Sequence, residues 1–530
     1  MSGTISSQPS QGAGRITAMP RWERAAYWFM IIFSAVVSFF EIHVFRNFMV
    51  DDAFITLRYV RNALAGNGLV YNTGDRVEGF TSPLHALLTF ILGLFNPDLV
   101  LSSKLLGVFS FLFILGVLCL WRSRRSSHDL IGLPEFAVTF SIVATSFSLT
   151  FFSVTGMETI LFSLLTLLVF LDATRFQIRF RSIFTIFAAF LCRPEGIIFG
   201  PWLLLATFIK RRSENDPVTQ KSGFLSCFKP AEVLNICVFM SFVFAFEFLR
   251  WMYYGEFFPN TFYAKAPWTM ESGTAHWSMK GMGSIAYFFS VSGGALGILL
   301  FGAALFRRGN ARGILLLVAA LTLAQLCFQK YAGSDWMVGS RYFITVLPVW
   351  AVGIGISLFV LNVLTPLLPP VRCAVVCLSV FAIALTNLSD TSQFIRNIDK
   401  YPNNVQTSVG LTEIGAWIDR NVPRDFRIRN WRIGAIGYYC DNPVIDTWGL
   451  VDREIGRLRF HASSESEGNT LVKAHIAGMK PEIVITKVDV GRESGEKGYK
   501  LVHEGRNGSE LIGVLVRSDL AHLVKQRNIP

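Results

Sequence analysis

Asp51 and Asp52 follow directly on the first long apolar segment, in VDDAFITLRYVRNALAG. Adjacent carboxylates there stand where a span leaves the bilayer, open to water and to anything held in the membrane. A carboxylate can take the proton from an attacking hydroxyl, and cations can steady a departing phosphate. Further acids and cations recur downstream: Glu78 after a Gly-rich turn, Gly156-Met157-Glu158, Arg193-Pro194-Glu195, Arg250 and Lys265 around the 251–283 loop, and Asp335 and Arg341 around the 333–341 loop. Tyr253-Tyr254-Gly255 and Pro259-Asn260-Thr261-Phe262-Tyr263-Ala264-Lys265 lie in the 251–283 loop. Acids beside cations at one membrane depth suit displacement at a sugar phosphate. Each residue alone has a plainer reading. Asp51 or Asp52 serves as an N-cap for the helix that follows, and the rest snorkel or form structural ion pairs. Five loops that each carry a charged motif favour function for the set.

The elements that must position these residues are membrane spans. The chain is 52% hydrophobic and 16% charged, with mean hydropathy +0.44. A soluble domain is about a quarter charged. Apolar runs near 25–46, 102–121, 131–152, 157–173, 182–193, 196–209, 231–250, 284–305, 313–330, 342–361 and 372–388 predict about eleven transmembrane helices in an α-helical polytopic protein. The stretch 83–95 is too short to span and reads as an interfacial helix. Only Glu247 reads as an acid within a span, which argues against a transporter or flippase, a class that places ionisable groups deep in the bilayer.

Basic clusters at 15–24, 122–125, 175–181, 210–212 and 307–312 alternate with the acid-bearing loops. The positive-inside rule puts these clusters in the cytoplasm and the charged motifs outside. The expected localisation is a bacterial cytoplasmic membrane, with the active site and residues 389–530 extracytoplasmic. Of the net charge of +12, residues 1–388 carry 29 basic against 19 acidic residues, while 389–530 carry 20 against 18. The excess is therefore topological, and no nucleic-acid footprint is present. The eight cysteines include no C-x-x-C pair and read as small buried hydrophobes. Three domains follow: a cytoplasmic, disordered N-terminus (1–24), a membrane domain (25–388) with a catalytic loop at 47–101, and a small α/β domain (389–530). In the last, helices are expected at 408–421 and 519–527 and strands at 482–487, 499–504 and 510–517.

Beyond these patterns the chain resembles a known family. The words Asp51-Asp52-Ala53-Phe54, Arg58-Tyr59, Gly66-Asn67-Gly68-Leu69-Val70-Tyr71-Asn72 and Val77-Glu78-Gly79-Phe80-Thr81-Ser82-Pro83, followed by the motifs above and by Gly434-Ala435-Ile436-Gly437-Tyr438-Tyr439 with Asp446, resemble the GT-C glycosyltransferases. More narrowly they resemble the mycobacterial terminal β-(1→2) arabinofuranosyltransferase family. The resemblance implies an inverting transfer, with or without a metal, from a polyprenyl-phosphate sugar to a hydroxyl of an envelope glycan, lipid or protein. D-arabinofuranose is the first expectation for the sugar; a mannosyl or other pyranosyl group on the same carrier is the alternative. It also implies Asp51 as general base, and Asp52 as a substrate-orienting residue or ligand of a divalent cation such as Mg, Mn or Ca. Lys265 and Arg341 would contact the lipid phosphate, with Arg193 and Arg58 as further cations. Glu78, Glu158, Glu195, Tyr254, Asn260, Tyr263, Asp335 and Trp336 complete the expected substrate site.

Overall fold

A computed structural model describes residues 19–124, 130–213, 227–265, 282–332 apart from 292 and 308, 337, 339, 341–397, 409–488 and 496–524. Asp335 and Trp336 lie outside the described residues.

The first helix, Arg21–Phe45, shows why the chain needs lipid. Its inward stripe is Tyr27, Ile31, Ser34, Ser38, Glu41 and Phe45, spaced alternately four and three residues apart. Its opposite face, with Phe29, Ile32, Val36 and Phe40, is apolar and exposed. A helix whose outward face is this hydrophobic is solvated by acyl chains. Among the described residues, five helices are long and apolar enough to cross a membrane: Arg21–Phe45, Leu99–Ser123, Pro230–Tyr254, Ala311–Phe328 and Pro369–Arg396. The count rises to seven if each of two bent pairs is one span. The other segments expected to span are present as shorter helices, including Thr159–Ala173, Phe180–Cys192 and Leu347–Val360. The last span runs to Arg396, past the boundary expected at 388.

Packing inside the bundle relies on small and hydroxylated residues, as expected where lipid offers no hydrophobic drive between helices. Ser34 and Ser141 hydroxyls meet at 2.8 Å. A side chain on Gly107 would place its Cβ 2.3 Å from the Ser153 carbonyl oxygen, so these helices touch backbone to backbone. One bent pair, Leu133–Ala144 and Phe147–Val154, turns by 46°. Ser146 caps the second helix, and the amide of Phe147 donates to Asn387 Oδ1 at 3.1 Å, so the broken ladder is re-satisfied.

The first span corrects the expectation that Glu247 is the sole intramembrane acid. Glu41 is fully buried there and accepts from the hydroxyls of Thr150 at 2.8 Å and Thr391 at 2.7 Å. Its hydroxyl partners are local and structural.

The C-terminal domain is α/β. Strands β1 (Ile428–Asn430), β2 (Val444–Asp446), β3 (Ile483–Lys487), β4 (Tyr499–Asn507) and β5 (Glu510–Arg517) form one sheet in the order β2-β1-β3-β5-β4. The first three are parallel, and β5 runs antiparallel to both β3 and β4. The expected helix at 408–421 is Val409–Asn421, and the three expected strands are β3, β4 and β5. The short β1 and β2 and the helices Arg453–His461 and Glu465–Met479 were not among the expected elements. The helix expected at 519–527 is reduced, in its described part, to a single turn at Ala521–Leu523.

Candidate active site

The acidic pair opens the helix Asp51–Leu64. Successive helical residues diverge by roughly 100°, and here the two carboxylates part company. Asp51 is 3% exposed and turns into the C-terminal domain. It accepts from the amides of Gly434 at 3.0 Å and Ala435 at 2.7 Å, the first residues of the helix Gly434–Tyr439. The approach is so close that a Cβ on Gly434 would lie 1.9 Å from the Asp51 carbonyl oxygen. Burial pushes the Asp51 carboxyl up to about 6; the Ala435 amide opposes this and the charge of Asp52 adds to it. Asp52 faces the other way and lines a cavity of about 410 Å³ at the membrane end of the seam between the two domains.

That cavity gathers much of the charged set. Asp52, Glu158, Arg193, Glu195, Lys265 and Arg341 all line it, among Phe80, Phe258, Phe262 and Leu450. Arg193 sits where the helix Phe180–Cys192 ends. Its guanidinium donates to Glu158 Oε1 at 2.8 Å and also to Glu195, and it lies over the Tyr342 ring at 5.1 Å. Arg341 lies over the same ring at 4.9 Å and donates to the Tyr342 hydroxyl at 3.1 Å. Burial would raise the Glu158 carboxyl, yet Arg193 and then Arg341 hold it below the ordinary carboxylate range. Burial would likewise lower Arg193, and Glu195 and Glu158 more than reverse it. Arg193 thus neutralises two acids, while Lys265 and Arg341 bring further positive charge to the wall.

His85 also lines this cavity and went unrecognised in the sequence. It is 2% exposed, and neither ring nitrogen has a hydrogen-bond partner among the described residues. Burial lowers its pKa, with Glu158 opposing, so the ring is neutral and offers one donor and one acceptor. Its signal was a lone polar side chain in the apolar run Pro83-Leu84-His85-Ala86-Leu87-Leu88.

The other expected site residues are engaged in structural contacts, Arg58 and Asn260 across the seam between the domains and Tyr254 and Glu78 within the membrane domain. Arg58, expected at the phosphate, is buried and donates to the carbonyls of Tyr71 at 2.8 Å, Gly437 at 2.6 Å and Asn442 at 2.9 Å. Asn260 donates to the carbonyls of Gly449 at 2.7 Å and Asp452 at 3.0 Å. Tyr254 donates to Leu69 O at 2.9 Å. Tyr263 meets Glu256 at 3.3 Å and packs under Arg457. Glu78 is buried 2.9 Å from Arg250 and leaves the cavity wall to its neighbour Gly79; burial raises its carboxyl to about 7 against the pull of Arg250. These groups were expected to touch substrate, but their polar atoms are taken up by backbone and partner side chains.

Among the described residues no three His, Cys, Asp or Glu side chains converge as metal ligands. Glu158 and Glu195 both engage Arg193. Among the described residues this donor set does not fit a protein-held divalent cation beside Asp52.

A chain of different sequence shares this architecture. ArnT from Cupriavidus metallidurans in the apo state superposes with TM-score 0.56 at 14% identity, over 94% of this chain and 98% of that one. The same protein bound to undecaprenyl phosphate gives TM-score 0.54 at 12% identity, over 94% and 99%. The chain has the GT-C membrane fold. In sequence it resembles the terminal β-(1→2)-arabinofuranosyltransferase of Mycobacterium tuberculosis, 29% identical over 240 residues, 42% of this chain and 35% of that one. The enzyme of the same name from Corynebacterium glutamicum is 40% identical over 85 residues, 15% of this chain and 12% of that one. The matched part thus spans about a third of the first relative and less of the second. Residues 396–520 match a family described as a domain of unknown function, DUF8728.

Proposed function

We propose that this multi-pass membrane protein is a glycosyltransferase that moves a sugar from a polyprenyl-phosphate donor to an acceptor hydroxyl, with inversion at the anomeric carbon. The observation that carries this reading is the cavity in which Asp52 and the cations Lys265 and Arg341 line one volume at the membrane end of the bundle. Asp52 takes the proton of the acceptor hydroxyl, and the oxygen attacks the anomeric carbon. The carbon–oxygen bond to the phosphate breaks, and the phosphate keeps the electron pair beside Lys265 and Arg341. Arg can hold two phosphate oxygens at once, whereas Lys acts as a point charge. The resemblance to the arabinofuranosyltransferases favours D-arabinofuranose as the sugar and an envelope glycan as acceptor. The alternation of basic clusters favours an extracytoplasmic site, where nucleotide sugars are absent and a lipid must deliver the activated sugar.

Incubating the purified protein with polyprenyl-phosphate arabinofuranose, mannose and glucose tests this. The arabinofuranose donor should be consumed, and Asp52→Asn should abolish most of that consumption. Consumption of mannose alone would move the sugar to the pyranose alternative, and consumption of none would sink the reading. For sidedness, a cysteine introduced in the C-terminal domain should react from outside intact cells; reaction only after lysis would reverse the orientation.

A further inference from the structure

A second concavity is lined entirely by the C-terminal domain. It measures about 870 Å³ and sits at the carboxyl ends of the parallel strands. The topology selects that place independently. From β1 the chain passes to β2 on one side, then crosses through two helices to β3 on the other side of β1. A sheet whose connections diverge in this way leaves a crevice beyond its strand ends, where ligands of α/β domains bind. Residues at or just after the three strand ends, Asn430 and Trp431, Thr447 and Trp448, and Thr486, line the cleft.

The lining has a specific chemistry. Trp431 and Trp448 are 37% and 45% exposed, unusual for the largest apolar side chains. Each indole has a guanidinium over it, Arg432 at 4.4 Å from Trp431 and Arg459 at 5.0 Å from Trp448. Asn430 fixes the first loop by accepting from the amides of Trp431 and Arg432. Asp446 fixes the second by accepting from the amides of Trp448 at 2.8 Å and Leu450 at 2.6 Å. Both platforms are therefore pre-positioned. Six cationic side chains, Arg429, Arg459, Lys473, Lys480, Lys497 and Arg517, line the cleft with one carboxylate, Glu496. Arg429 is paired with Glu496 and Arg517 with Asp519 and Glu482, so the excess is carried by the lysines and Arg459. Flat indoles suit the C–H face of a sugar ring, and an excess of cations draws anions.

We propose that this cleft binds an anionic saccharide that presents the acceptor hydroxyl for transfer, an assignment that rests on the glycosyltransferase reading above. The link between the two sites is one turn of chain. Trp448 lines the cleft and Leu450 lines the membrane cavity, and two residues span at most about 7 Å. The segment that carries the Trp448 platform therefore also forms part of the wall of the cavity that holds Asp52.

The test is a binding titration of the full chain in detergent with a short oligogalacturonate, an uncharged galactan of equal length and inorganic phosphate, read by calorimetry and indole fluorescence. The oligogalacturonate should bind with an affinity that falls with salt, and the galactan should bind about tenfold more weakly or worse. Trp448→Ala should weaken oligogalacturonate binding. Lys473→Glu, at an exposed position that tolerates substitution, should weaken it by about tenfold, the loss expected for one charge-assisted contact. Equal binding of galactan, indifference to Lys473→Glu, or displacement by phosphate that Trp448→Ala leaves unchanged would each overturn the proposal. Asp52→Asn separates the two readings, since saccharide binding should persist in it. Saccharide binding in a protein that consumes no donor would discard the transfer reading alone. Asp52-dependent transfer without saccharide binding would discard the cleft alone.

Discussion

The seam between the first loop and the C-terminal domain uses the same residue types as the cavity below it, to opposite ends. In the seam the charges are consumed. Asp51 spends both carboxylate oxygens on amides, and Arg58 divides its guanidinium among three carbonyls. In the cavity, Asp52, Lys265 and Arg341 line an open volume, and Arg193 is committed on two sides. Two adjacent aspartates fall in different regions because one helical step turns the side chain through about 100°. A charged group near a ligand volume acts on a ligand only if the fold has left its polar atoms turned toward it.

The sharpest way to break this contrast is to exchange the roles of the pair. Asp52→Asn should lower transfer by roughly 10²–10⁴, the range for losing a general base. Asp51→Asn keeps one acceptor oxygen and strands an amide of Gly434 or Ala435, at about 1–3 kcal/mol of stability, with a far smaller fall in transfer. Transfer assays and thermal scans on both variants decide. If Asp51→Asn abolishes transfer while Asp52→Asn retains it, the seam and the cavity have been assigned the wrong way round.

Arg193→Ala comes next. It leaves Glu158 and Glu195 buried without their shared cation, a loss of about 3–5 kcal/mol for a broken buried pair. Adding Glu158→Gln and Glu195→Gln should recover much of the lost melting temperature. No recovery would mean that Arg193 acts through something other than these two acids.

A smaller effect is expected at the phosphate. Arg341→Lys keeps the charge and loses two-point geometry, so donor affinity should fall by about tenfold; Lys265→Ala should weaken it less. Donor affinity unchanged in both would remove them from the site.

The smallest effect is a pH slope that belongs to the seam. The folded carboxyls of Asp51 and Asp446 stand at about 6, above the unfolded value of about 3.9. Between these values the folded state holds more protons than the unfolded one, so their contribution to stability grows as pH falls through about 6 and is lost as pH rises through it. Melting temperature measured from about pH 7 to about pH 5 should show this rise, and Asp51→Asn should reduce it without abolishing it, because Asp446 and Glu78 keep their raised carboxyls. An unchanged slope in that variant would mean that the Asp51 carboxyl titrates alike in both states.

Much of this was legible from local pattern. Long apolar runs need nothing beyond their own composition to specify membrane helices, and each expected span has a helix in its place. The later strands were also legible, because runs such as Glu482-Ile483-Val484-Ile485-Thr486-Lys487 carry their own signal. The three-residue strands β1 and β2 were not, since they are stable only as neighbours within a parallel sheet. The charged motifs marked a functional region, but their division into seam and cavity was not written in them. Arg58 and Asn260 read as cations and amides near a substrate, and became joints only because carbonyls about 190 to 380 positions away met them. His85 read as one polar residue in an interfacial helix until folding closed the cavity around it. Periodicity and composition are properties of neighbouring residues, so the sequence by itself determined the membrane class, the helices and the stretch of chain where chemistry gathers. Partnership is a property of residues distant in the chain, so only the tertiary structure decided which of two adjacent aspartates lines the cavity and which is buried against the C-terminal domain.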